Sequence, residues 1–305
     1  MEATRKTVLV IGGPTASGKS GLALGVAQKT NGAIINADSM QLYDGLGILT
    51  AQPSTEDKAA ITHRLYACLA PSDICSSAKW RDMALSEIET VLAEGRLPII
   101  TGGTGFYIKT LIHGISPIPD MPPDIRARVS ARQREIGNPA FHAELAKRDP
   151  VMAAKLHPFN TQRLVRAAEV LESTGKSLAE WQEIPPVPPP AHLKFVTATL
   201  LPPRARLYAQ CDARFETMLK SGALEQVKAF SKIATPAIPL AKALGYPELS
   251  SHLAGEITLA EAATLAQAST RHYAKRQVTW FRHQITPDIV LDDPSDAEAL
   301  IKIIS

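Results

Sequence analysis

Cysteine is nearly absent: Cys68, Cys75 and Cys211 are the only three in 305 residues, and no two have C-x-x-C spacing. So sparse and odd a set excludes a disulfide framework and a cysteine-based zinc site, and it suits reduced thiols in the cytoplasm. No apolar stretch approaches the ~18 residues of a membrane-spanning helix. The opening Met1-Glu2-Ala3-Thr4-Arg5-Lys6 runs straight into an apolar strand, so no signal peptide is expected. Biased tracts and internal repeats are missing too. With 45% hydrophobic residues, the chain reads as a folded globular protein, either one large domain or a core plus a smaller one. The net charge of +3 identifies no partner by itself.

What is present begins with GPTASGKS at 13–20, after the apolar run Val8-Leu9-Val10-Ile11. It matches the P-loop pattern G-x-x-x-x-G-K-[ST]. Glycines let backbone N–H groups turn around a phosphate, Lys19 neutralises it, and the Ser20 hydroxyl can reach Mg²⁺. The helix that follows points its positive end at the same anion. Whether that phosphate belongs to ATP is left open by the motif. No apolar strand ends in the Asp-Glu or Asp-x-x-Gly expected for nucleoside triphosphate hydrolysis, and no kinase-type HRD or DFG element occurs.

The first hundred residues alternate strand and helix: a strand at about 7–12, a helix at 19–30, and a strand over Ala33–Ala37 ending at Asp38. A helix at 79–94 follows, stopped by Gly95, then a buried strand from Leu97 to Thr101. The expectation is an α/β fold, a P-loop NTPase-like, mostly parallel sheet flanked by helices with its ligand at the carboxyl ends of the strands. Proline-dense segments at 115–123 and 184–193 bracket short helical patterns at 125–135, 139–147, 150–156 and 161–174. This predicts an inserted all-helical subdomain at 116–193, with the P-loop core formed by 1–115 and 194–305. Phe195–Leu200 reads as a strand returning to the sheet, and 259–283 as a long helix.

Two further polar elements fall at strand ends beside the P-loop. Asp38, in ADSMQLY, suits a general base, a metal ligand or a turn cap. The turn GGTG at 102–105 offers glycines for close backbone approach and a Thr104 hydroxyl for an anion or leaving-group oxygen, or it is a plain strand-to-helix turn. From Met121 to Lys176 ten Lys/Arg face six Asp/Glu, and Arg271, Lys275, Arg276 and Arg282 accompany Tyr273, Trp280 and Phe281. Such bias suits a nucleic-acid surface, or ordinary solvated helix faces with core aromatics. Arg163 and Arg166 share one helix face and could grip phosphates or stack on a base. His63, His157 and His272 lack ligand spacing.

Taken together, the segments GPTASGKS (13–20), NADSMQLY (36–43), TAQP (50–53), GGTGFYI (102–108), DIRARV (124–129), QRLVRAAEV (162–170), ALGYPEL (243–249) and AKRQVTWFR (274–282) resemble the tRNA dimethylallyltransferase (tRNA isopentenyltransferase) family. The resemblance spans about Thr7 to Trp280. It implies transfer of a dimethylallyl group from dimethylallyl diphosphate to N6 of adenine 37 in the tRNA anticodon loop, with release of diphosphate. It further implies that Gly13, Pro14, Thr15, Ala16, Ser17, Gly18, Lys19 and Ser20 hold the diphosphate, and that Asp38 is the base. Thr104 and Arg214 would act on the leaving group, and Ser20 would bind Mg²⁺, with Asp38 joining through water. Asp38, Ser39, Met40, Gln41, Thr104, Arg126, Gln162, Arg163, Leu164, Val165, Arg166, Lys242, Gly245 and Tyr246 match tRNA-contacting positions. The implied partners are the tRNA anticodon stem-loop and dimethylallyl diphosphate, without a membrane, and a monomer is expected. Many relatives read GMDIGTAKP where this chain has GLGILTAQP (45–53), and Pro247 replaces a usual basic residue. An adenylate isopentenyltransferase, a P-loop nucleotide kinase and a non-catalytic RNA-binding module are the competing readings; the basic insertion and the Asp38/Thr104 set argue against them.

Overall fold

The apolar runs resolve into a parallel sheet because each is buried on both faces. A computed structural model describes residues 5–236 and 238–304, so the expectation about Met1–Thr4 lies outside the described residues. Six strands, β1 (Lys6–Gly12), β2 (Gly32–Asn36), β3 (His63–Arg64), β4 (Leu97–Gly102), β5 (Leu193–Leu200) and β6 (Ile289–Leu291), pair in the order β3-β2-β4-β1-β5-β6, all parallel. Successive strand side chains point to opposite faces, so one run feeds two cores. Val8, Val10, Ile35 and Ile100 enter the larger core, and Leu9, Ile11, Ile34 and Ile99 enter the smaller. The edge strands β3 and β6 were not expected from sequence: two and three residues are too few to show a period.

The helices are α1 (Lys19–Thr30), α2 (Thr55–Ala60), α3 (Ser77–Ala93), α4 (Gly105–His113), α5 (Pro123–Arg148), α6 (Pro150–Lys155), α7 (Thr161–Thr174), α8 (Leu178–Glu183), α9 (Arg204–Lys220), α10 (Ala223–Phe230), α11 (Tyr246–Leu253), α12 (Leu259–Gln284) and α13 (Ala297–Ile304). Their ends follow local chemistry. Thr258 and Glu261 form a reciprocal capping box that starts α12, and Gly175 closes α7 in the left-handed conformation. Within α5, Gly137 leaves the helical region two residues before Pro139, which separates the two helical patterns read there.

The chain divides into two compact units, Met1–Ile112 with Pro189–Ser305, and His113–Pro188. The second contains α5 to α8 around its own core, built on Phe141, Leu145, Leu164, Ala167 and Val170. Among the described residues no helix is long and apolar enough to cross a membrane.

Candidate active site

Parallel pairing of β2, β4 and β1 sets three loops side by side at one sheet edge. Gly12 is level with Gly102, and Asn36 with Thr101, so the P-loop, the Asp38 loop and the GGTG turn emerge together. The P-loop needs its unusual backbone: Ala16 and Gly18 both have positive φ. Ser17 is fully buried, and its hydroxyl finds no partner among the described residues. Lys19 Nζ donates to the Pro14 carbonyl at 3.1 Å. Burial pushes its pKa down to about 8, opposed by the charge of Asp38 and aided by that of Arg214. The ammonium is therefore still mostly protonated at neutral pH.

Asp38 serves both as turn cap and as available carboxylate. Asn36, fully buried, accepts from the Asp38 N–H at 2.8 Å and donates to its carbonyl at 2.9 Å. One carboxylate oxygen, Oδ1, accepts from the Met40 N–H at 3.0 Å. Thr104 ties the neighbouring loop to this one: its hydroxyl accepts from the Ser39 N–H at 2.9 Å, and its N–H donates to the Ala37 carbonyl at 3.1 Å. From α9, Arg214 Nη2 donates to the Thr15 hydroxyl at 2.6 Å, and burial lowers the guanidinium pKa.

The glycines of GGTG were expected to let backbone approach a ligand. In the folded chain they make room for protein instead. A Cβ on Gly102 would lie 2.1 Å from the Ala37 backbone, one on Gly103 2.4 Å from Gln277, and one on Gly105 2.1 Å from the Trp280 ring. Gly12 meets Phe281 in the same way, at 2.5 Å. Helix α12 is thus seated on glycines at the ends of two strands. Sequence reasoning weighed its cations and aromatics and passed over Gln277, whose buried amide accepts from the Thr15 N–H at 2.8 Å and donates to the Gly103 carbonyl at 2.7 Å.

Beside these loops lies a cleft of about 260 Å³, whose walls include Thr15, Asp38, Arg214, Lys242, Tyr273 and Arg276. Phe215, Met218 and Leu49 add apolar surface. A cationic rim of Arg214, Lys242 and Arg276, one carboxylate and an apolar wall occur together.

A family model described as IPP transferase matches residues 41–284. The chain belongs to the IPP transferase family. It is 52% identical over 286 residues to a tRNA dimethylallyltransferase of Rhodospirillum centenum, covering 93% of this chain and 91% of that one. It is 49% identical over 305 residues to one of Paramagnetospirillum magneticum, covering 100% and 96%. Among solved structures, a tRNA isopentenylpyrophosphate transferase of Staphylococcus epidermidis superposes with a TM-score of 0.68 at 30% identity, covering 98% of this chain and 97% of that chain. A eukaryotic dimethylallyltransferase acting on tRNA gives a TM-score of 0.80 at 27% identity, covering 98% and 78%. The architecture is accordingly the P-loop NTPase-like one of this family.

The other IPP transferase positions read from sequence fall into different environments. Ser39, Met40 and Lys242 line the cleft. Gln41 instead braces its own loop, its amide donating to the Thr50 and Ala51 carbonyls at 2.9 and 2.7 Å. Gln52, where many relatives carry lysine, does similar work by donating to the Tyr43 carbonyl at 2.8 Å. Gly245 caps α11 with φ 86°, and a Cβ there would meet Phe215 at 2.7 Å. Tyr246 is buried edge-to-face on Phe230, so its ring packs inside the core unit. Pro247 suits the first turn of α11, where its missing N–H costs nothing.

In the helical unit, Gln162 and Arg163 are exposed, Val165 is half-buried, and Leu164 is fully buried. The Leu164 side chain therefore belongs to that unit's core and presents nothing to an RNA. Arg126 and Arg166 lie 3.6 and 3.8 Å from Glu169, whose side chain is only 6% exposed. Burial pushes the Glu169 carboxyl up, against the pull of the two arginines.

Proposed function

We infer that this chain is a tRNA dimethylallyltransferase: it moves the dimethylallyl group of dimethylallyl diphosphate to N6 of adenine 37 in the anticodon loop and releases diphosphate. The observation that carries the chemistry is the cleft lined by Arg214 and Asp38 beside an apolar wall, with Lys19 near enough to both for their charges to act on it. Family membership and the relatives' names support the substrates.

The P-loop amides, Lys19 and the buried Ser17 hydroxyl receive the diphosphate; Arg214 and Thr104 bear on its leaving oxygen. Adenine N6 is a weak nucleophile, so the barrier falls chiefly by stabilising charge on the departing group. Each preorganised donor in such a site contributes about 3–4 kcal/mol. Asp38 takes the N6 proton, which becomes acidic as the N–C bond forms. Phe215, Met218 and Leu49 offer an apolar surface to the prenyl chain and exclude water. Extruding the base costs a few kcal/mol, least in a loop already partly unpaired.

Among the described residues no cluster of three or more His, Cys, Asp or Glu could hold a metal. The donors that remain, the exposed Ser20 hydroxyl and the Asp38 carboxylate, fit Mg²⁺, which commonly takes one or two protein oxygens and completes its shell with water and substrate phosphate. Bound there, Mg²⁺ would neutralise charge on the diphosphate. Arg126, Gln162, Arg163 and Arg166 of the helical unit would contact the RNA, Arg163 most freely. The protein works as a monomer in the cytoplasm.

Incubation with Mg²⁺, dimethylallyl diphosphate and an adenine-37 stem-loop should add one dimethylallyl group to the RNA by mass. Asp38→Ala should keep donor binding and lose most turnover. Near-wild-type turnover by that variant would remove Asp38 as the base, and modification of free AMP with indifference to the stem-loop would replace the acceptor.

A further inference from the structure

Gln277 is buried on α12, and its side-chain amide makes two hydrogen bonds, neither of them within its own helix. It accepts from the Thr15 N–H of the P-loop at 2.8 Å and donates to the Gly103 carbonyl of the GGTG turn at 2.7 Å. These partners are 262 and 174 residues away in sequence. Both belong to loops leaving adjacent strands at the edge where the reaction cleft opens. An ordinary helix-packing glutamine caps a nearby carbonyl or reaches solvent. This one ties together two loop backbones just beyond the last paired residues of their strands, Gly12 and Gly102.

Three consequences follow from the geometry. The Thr15 N–H is spent on Gln277, so that amide is withdrawn from the set available to a diphosphate. The Thr15 side chain is separately held by Arg214 at 2.6 Å, so residue 15 is gripped at both backbone and hydroxyl. A side chain at Gly103 would displace the Gln277 amide from this arrangement, because a Cβ there would stand 2.4 Å from its Nε2. On the same helix, Tyr273 one turn earlier and the adjacent Arg276 line the cleft, so α12 forms a wall of the site and ties its loops together.

We propose that Gln277 is a positioning residue for prenyl transfer: it fixes the diphosphate loop against the Thr104 loop, so that both can bear on one leaving group. The proposal rests on the donor being a diphosphate held by the P-loop. A positional error of about 1 Å among catalytic groups can cost on the order of a hundredfold in rate. The effect falls on the donor and leaves the RNA-binding residues of the helical unit untouched.

The test compares wild type with Gln277→Leu and Gln277→Glu, measuring affinity for inorganic diphosphate by calorimetry, affinity for the stem-loop, and steady-state turnover. Leucine removes both hydrogen bonds at similar volume. Diphosphate affinity and kcat/KM for dimethylallyl diphosphate should fall about tenfold to a hundredfold, with stem-loop affinity within about twofold, the scatter expected of an untouched interface. Glutamate can make both bonds only while protonated, so its deficit relative to wild type should narrow toward acid pH, which a variant merely loosened in its packing would not show. Should the leucine protein fail to fold, the glutamate pH profile alone decides. Unchanged donor parameters in both variants overturn the proposal, and so does equal loss of donor and RNA affinity. Wild-type protein with no affinity for diphosphate overturns the prenyl-donor reading itself, and this proposal with it.

Discussion

The core cleft and the helical unit both carry arginine, but they treat it in opposite ways. Around the cleft, Lys19 and Arg214 lie in no ion pair among the described residues; neutral groups, the Pro14 carbonyl and the Thr15 hydroxyl, aim them. In the helical unit, Arg126 and Arg166 share Glu169, Arg128 and Arg148 share Glu172, and Arg132 engages Glu135 and Glu144. A cation whose counter-ion is to be the substrate is left unpaired and held by dipoles. One already matched to a glutamate serves its own fold first. Five of the ten basic residues at 121–176 are thus already matched to glutamates, while Arg163 is exposed and in no ion pair among the described residues.

The sharpest way to break this contrast is Arg214→Ala. If the guanidinium acts on the leaving group, kcat/KM for the donor should fall by about a hundredfold to a thousandfold, with stem-loop affinity preserved; a loss confined to RNA affinity would reverse the assignment. Second in size is Leu164→Ala. Emptying a fully buried leucine site should destabilise the helical unit by about 2–5 kcal/mol, read as earlier proteolysis within 113–188 while diphosphate binding by the core persists. Equal destabilisation of both units would show that they do not melt separately.

A smaller effect is expected from Glu169→Gln. The folded carboxyl titrates above its ordinary value because burial disfavours its charge. Its contribution to stability is therefore complete below the unfolded-state pKa and declines as pH rises through the folded one. The glutamine variant should lose that decline, flattening the melting temperature against pH above the ordinary carboxylate range. An unaltered profile would mean that the arginine pair, not burial, governs Glu169. Smallest is Arg163→Ala, which should weaken stem-loop binding a few-fold and reduce the slope of log affinity against log salt by about 0.7–0.9. No change in slope would take Arg163 off the phosphate backbone.

The legible part of the fold was that with a local signature. The strands from 7 to 12 and 97 to 101 declared themselves by buried runs, α12 by its long helical period, and the P-loop by its spacing. The missed elements were short. β3 and β6 exist by pairing with longer neighbours, and α13 packs on α1 over the smaller core. At the site, Asp38 and Thr104 were candidates from their place at strand ends, and Arg214 was named only through family resemblance. Gln277 and the Phe215/Met218 wall were not singled out, because a glutamine or methionine in a helix has no motif until something is known to face it.

Sequence alone determined the P-loop at 13–20 and the carboxylate at the end of β2, each from residues within a few positions of one another, and the family from eight such local segments in order. Tertiary structure decided which glycines serve a ligand and which serve a helix. It also decided which arginines are already paired and what holds Thr15 in place. Those answers come from partners tens to hundreds of residues away, brought together by burial of the two cores, and no spacing rule along the chain records them.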